Sequence, residues 1–132
     1  MRITKTVERW FPAEKDPDKS EFLIRHLKAA EVMDISYATS KQETKYKADV
    51  DGRLVPEMTT SMDTKAHNDA AFCAAVIDWK NVYDENGDAL ECTDENKMRA
   101  MREIDGLTLF IDSCRESLAD DIEKDKKALE KN

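Results

Sequence analysis

Asp84, Asn86, Asp88 and Glu95 carry oxygen ligands at the spacing of positions 1, 3, 5 and 12 of an EF-hand calcium loop. Such a loop also needs glycine at position 6, where the chain turns sharply, and a helix leading into it. Here Gly87 falls at position 4, and the strand-like run Ile-Asp-Trp-Lys-Asn-Val over 77–82 precedes it. A hairpin turn accounts for the same residues, and no calcium site is expected. The two histidines, His26 and His67, lie far apart and form neither an HxxxH nor an HxH pair. A metal centre takes three or four convergent ligands, so each reads as a surface or boundary side chain. Cys73, Cys92 and Cys114 are odd in number, widely spaced and without a CxxC pair, which reads as buried thiols in a reducing compartment. With 3 glycines there is no material for a phosphate cradle, and no serine-nucleophile motif occurs. No catalytic, metal or cofactor residues are expected, and the chain does not read as an enzyme.

The elements that position these residues follow from periodicity. Ile3, Val7, Trp10 and Phe11, with β-branched neighbours, predict a strand ending at Pro12. The run Phe22–Leu27 fits either a strand pairing back on the first or the start of a helix. A helix is expected through roughly 28–38. The polar stretch 39–61 holds Asp51-Gly52 and reads as a β-ribbon or a mobile loop. From Asp63 a helix is expected whose inner face carries Ala66, Ala70, Cys73 and Ile77. A strand through Trp79 then meets Asn86-Gly87, the dipeptide suited to a type I′ turn, and returns through Ala89 and Leu90 as a hairpin over 77–92. Thr93 is placed to cap a helix opening with Asp94-Glu95. Met98, Met101 and Ile104 share a face of that helix, with Gly106 as its C-cap. The stripe Leu107, Phe110, Ile111, Cys114, Leu118 and Ile122 gives the clearest amphipathic helix in the chain. The fold expected is α+β: one mostly helical domain over 1–122 with one or two hairpins, then a charged, fraying tail over 123–132.

At 132 residues a single domain can bury roughly two-thirds of its unfolded surface. A net charge of −8 argues against nucleic acid as the main ligand, since a phosphate backbone calls for a concentrated positive face. No run is apolar enough to span a membrane, and the charged start MRITKTVERW is unlike a secretory signal. What remains is a binding protein. Flexible methionine thioethers suit surfaces that accept varied apolar partners, and a tryptophan can anchor an interface. The partner-facing set expected is Trp79, Met98, Met101, Tyr46 and Met58. An amphipathic helix can also bury its stripe against a second copy, so a homo-oligomer stays open.

The run Trp79-Lys80-Asn81-Val82, with Asp84, Gly87, Leu90, Thr93, Glu95 and Asn96 after it, resembles a pattern in the small tail assembly chaperones of long-tailed bacteriophages and prophages. The helices that follow and the acidic, lysine-rich end are similar to that family too. The resemblance implies a non-enzymatic protein of the host cytoplasm, absent from the mature virion. It would bind the long tape measure protein and help tail tube subunits assemble around it. The alternatives are a structural tail or head–tail connector protein and, from another class, a metal-binding accessory protein or enzyme.

Overall fold

The computed structural model describes residues 1–130. In chain order, β1 (Glu8–Pro12), β2 (Glu21–Arg25), α1 (Ala29–Ala38), β3 (Ser40–Ala48), β4 (Leu54–Met62), α2 (Thr64–Ala75), β5 (Val76–Lys80), α3 (Asp94–Glu103) and α4 (Leu107–Glu130) make an α+β fold. These elements form four helices and two antiparallel sheets. They fall into two compact units, one comprising Met1–Lys28 and the chain from Phe72 on, the other Ala29–Ala71.

In the first unit β2 is the middle strand, paired antiparallel with β1 and with β5. Its alternation puts Phe22 and Ile24 in the core, as a half-buried strand should. The β2–β5 register shifts between Leu23 and Ile24: Leu23 lies opposite Asp78 and Ile24 opposite Val76, so Ile77 is the extra residue of a bulge. The bulge lets Val76 and Trp79 both face inward although they are three apart, and it turns Ile77 to solvent. Ile77 therefore leaves the buried helical stripe expected of it. Helix α4 packs on this sheet through Leu107, Ile111, Cys114 and Leu118, whose spacings of four, three and four make one apolar seam. The Phe22 ring bridges the layers, meeting Trp79 edge-on at 6.2 Å and Phe110 at 5.7 Å between ring centroids. α4 continues to Glu130 with exposed residues from Glu123 on, and the last two residues of the expected tail lie outside the described residues.

Thr93 caps α3 as expected, its hydroxyl accepting the N–H of Asn96 at 3.2 Å. The buried face of α3 is not Met98, Met101 and Ile104, however. Lys97 and Ala100 are buried, the methionines are half-buried, and Ile104 is exposed. Lys97 can lie inside because its ammonium donates to the carbonyl of Cys73 at 3.1 Å and approaches Asp94 at 3.4 Å. Gly106 does not cap α3 either: Ile104 is the C-cap, and Gly106, at φ +80°, opens α4 by accepting the N–H of Phe110.

Of the hairpin expected over 77–92 only a short part forms, with Leu90 N–H donating to the Val82 carbonyl at 2.9 Å, while β5 takes a different partner. β5 is hydrogen-bonded to β2, and the return segment makes a single bridge, Tyr83 to Ala89. The turn is not type I′, because only Gly87 takes positive φ while Asn86 does not. The Asp84 carbonyl accepts the N–H of Gly87, and the Asp84 N–H donates to the carbonyl of Asp88. Its carboxylate accepts the N–H groups of Asn86 and Asp88, each at 2.9 Å. This is a type I turn followed by a left-handed glycine, and the aspartate side chain supplies what a second positive φ would have supplied.

In the second unit β3 and β4 form the ribbon alternative for 39–61, paired over nine residues each. Its loop repeats the same device: Asp49 Oδ1 accepts the N–H groups of Asp51 and Arg53 at 2.9 Å each, and Gly52 takes φ +78°. α1 has no buried residue, and among the described residues of this unit Ala71 is the sole buried apolar side chain.

Candidate functional site

The β3–β4 register sets Thr44 opposite Met58 and Tyr46 opposite Pro56, so these side chains share one face. Taking every second residue from Ser40 to Ala48 and from Leu54 to Met62, that face carries no charge at all. The opposite face holds Lys41, Glu43, Lys45, Lys47 and Glu57, with Lys47 and Glu57 ion-paired at 3.4 Å. The ribbon is thus a two-sided strip, one side wet and one side bare. On the bare side Tyr46, Leu54, Met58 and Met62, and on α1 Met33 and Tyr37, are between 50% and 73% exposed. Of the sixteen large hydrophobic side chains left exposed among the described residues, eight lie in this unit.

Asp63 anchors the ribbon's exit. It caps α2 by accepting the N–H of Ala66 at 3.1 Å, and that bond, with Lys41 at 3.6 Å, holds its carboxyl below the usual carboxylate value. The Thr39 carbonyl accepts the N–H of Asp63 at 2.9 Å, closing the ribbon's open end. These contacts tie the end of the ribbon that carries the bare face to the start of α2.

Of the five residues expected to meet a partner, the structure brings Tyr46 and Met58 together and separates the others from them. Trp79, 6% exposed, sits in the core of the first unit, with its indole N–H donating to the carbonyl of Leu90 at 2.8 Å. Met98 and Met101 lie half-buried on α3. Leu54 was not singled out by sequence reasoning. Its signal was present: Lys41, Glu43, Lys45 and Lys47 all fall on odd positions, an alternation of period two that marks an amphipathic strand.

The groups weighed for catalysis do not converge. Burial first of all pushes the Cys92 and Cys114 thiols up to about 11, the reverse of what activates a thiolate nucleophile. His26 lines a shallow hollow with Arg25, Asp112, Arg115 and Glu116, whereas His67 is on α2 in the other unit, its Nδ1 buried without a hydrogen-bond partner among the described residues. Among the described residues no three of His, Cys, Asp and Glu gather in an arrangement that could hold a metal ion. Among them too, no helix is long and apolar enough to cross a membrane. No family model matches the chain, and comparison with curated proteins and with solved structures likewise finds no match.

Proposed function

We propose that this chain is a protein-binding module that acts as a tail assembly chaperone of a long-tailed phage or prophage, shielding the tape measure protein while tail tube subunits assemble. One observation carries the binding part of the reading. The unit Ala29–Ala71 keeps its large apolar side chains outside and buries almost none. An apolar surface of this kind, rimmed by charge, is the mark of a partner-covered face. A long helical client with an apolar stripe can lay that stripe along an uncharged ribbon face. The family part rests on the run from Trp79 to Asn96. An acidic protein of net charge −8 also suits a holder that must stay dissolved while its client is not.

Co-expression with a tape measure protein of the same genome tests the proposal. A soluble complex is the expected result, with Tyr46→Glu and Met58→Glu together weakening it by about tenfold or more, as loss of anchor residues does. Because both side chains are exposed, the variant's melting temperature stays within about 2 °C of the parent. Absence of any complex, or recovery of the chain as a component of purified virions, would overturn the chaperone reading in favour of no tail role or a structural one.

A further inference from the structure

We infer that the first unit carries a second docking site, a groove beside Tyr83 that takes a lysine or arginine side chain from an extended segment of a partner protein. The groove begins as a hollow of about 340 Å³ where the β1–β2 loop, the chain after β5 and the α3–α4 turn meet. Its floor is apolar and aromatic, including Phe22, Val82, Leu107 and Phe110, and Asp16, Asp18 and Asp105 line it. No lysine, arginine or histidine lines it. That volume lies at the low end for ligand pockets and accommodates a single long side chain.

The hollow does not stand alone. It shares Tyr83 and Ile104 with a neighbouring hollow of about 300 Å³, and Asp18 and Tyr83 with a third that includes Asp84, Glu85 and Gly87. The three adjoin through these shared residues as one trough. Six acids, Asp16, Asp18, Asp84, Glu85, Glu103 and Asp105, line it with one base, Arg99, which is already bound to Glu85 and Glu103, and Lys19, outside the lining, acts on Asp16. The Asp18 and Asp105 carboxylates have no hydrogen-bond or ion-pair partner among the described residues. Charge complementarity therefore selects a cationic occupant.

The same carboxylates are too dispersed for a metal ion, since no three acidic ligands among the described residues converge. Spread over a hydrophobic floor, they suit a cation carried on an apolar stem, which is the shape of lysine and arginine. The half-exposed ring of Tyr83 adds a face for that cation. Its position is fixed: its hydroxyl donates to Asn81 Oδ1 at 3.3 Å, and Asn81 Nδ2 donates to the carbonyl of Lys19 at 3.1 Å. The proposal does not depend on what the ribbon binds.

The test is an NMR titration of the ¹⁵N-labelled full chain with a blocked pentapeptide bearing a central lysine, alongside matched peptides with arginine, norleucine or glutamate. The lysine and arginine peptides are expected to move the amide signals of Asn81, Tyr83, Gly106 and Phe110. Raising the salt from about 0.05 to 0.3 M weakens that binding about threefold or more, and so does Asp18→Asn with Asp105→Asn. Equal binding by the norleucine peptide, perturbation confined to other residues, or no perturbation at all would overturn the proposal; the parent chain alone decides these outcomes.

Discussion

The indole N–H of Trp79 and the carbonyl of Leu90 meet at 2.8 Å, joining the core strand β5 to the segment that returns from the Asp84 loop. The bond adds to the two backbone hydrogen bonds that close the short hairpin, from Leu90 N–H to the Val82 carbonyl and from Asp84 N–H to the Asp88 carbonyl. Trp79→Phe keeps the ring against Phe22 and strands a half-buried carbonyl, which costs about 1–2 kcal/mol. Trp79→Ala also empties the core and costs about 3–5 kcal/mol. Urea denaturation followed by circular dichroism checks both, and a Trp79→Phe variant as stable as the parent would remove the hydrogen bond from the account.

Gly87 and Gly52 occupy equivalent left-handed positions, at φ +82° and +78°, and a Cβ at either would meet nothing within 4 Å. The cost of a substitution is thus conformational alone. Gly87→Asn is expected to be nearly neutral and Gly87→Val to cost about 1–2 kcal/mol, since a β-branched residue resists positive φ. Melting temperatures of the pair give the contrast; equal values would mean that strain at this position does not limit stability.

Lys97 is 8% exposed and donates to Cys73 O. Lys97→Met retains the stem and removes the charge, leaving that carbonyl without its donor, and a loss of about 1–3 kcal/mol follows. Hydrogen exchange is the sharper readout, because faster exchange should appear at the C-terminal end of α2 as well as in α3. Faster exchange in α3 alone would show that the lysine does not tie the two helices.

The Ser20 hydroxyl beside Asp16, and the N–H groups of Ser20 at 3.0 Å and Asp18 at 3.3 Å that donate to its carboxylate, hold its carboxyl below the ordinary value of 3.8. Since the folded value is the lower one, its stabilisation is complete at neutral pH and disappears as pH falls below about 4 and through the folded value. Asp16→Asn is accordingly less stable than the parent at pH 7, and the two converge in acid. A difference that stays constant from pH 7 down to about 2 would assign the effect to the turn's shape and not to its charge.

What could be read from the sequence divides along the range of the interactions involved. Thr93 and the seam from Leu107 to Leu118 are local signals, and the structure places them as expected, whereas α2 buries Ala71, Phe72 and Ala75 in place of the expected face of Ala66, Ala70 and Cys73. The partner of β5 was not legible, because Trp79 pairs opposite Phe22 across a long separation and the bulge at Ile77 hides the alternation. Nor was the inner face of α3, where hydropathy assigns Lys97 to water and only the Cys73 carbonyl explains its burial. In the ribbon the charge alternation was visible, but the choice between ribbon and loop turns on Asp49 and its two hydrogen bonds, a detail of geometry.

The order of strands in the two sheets also sets an order in time. β3 and β4 are consecutive and close through a short loop, so the ribbon needs only the chain up to Met62. The sheet holding Phe22 must wait for Val76 and Trp79, with all of Ala29–Ala71 to be looped out first. Closing the longer loop carries the larger entropic cost and is the slower event. By this order the bare face of the ribbon is presented before the unit that surrounds it in sequence has folded, the circumstance in which exposed apolar strands favour aggregation.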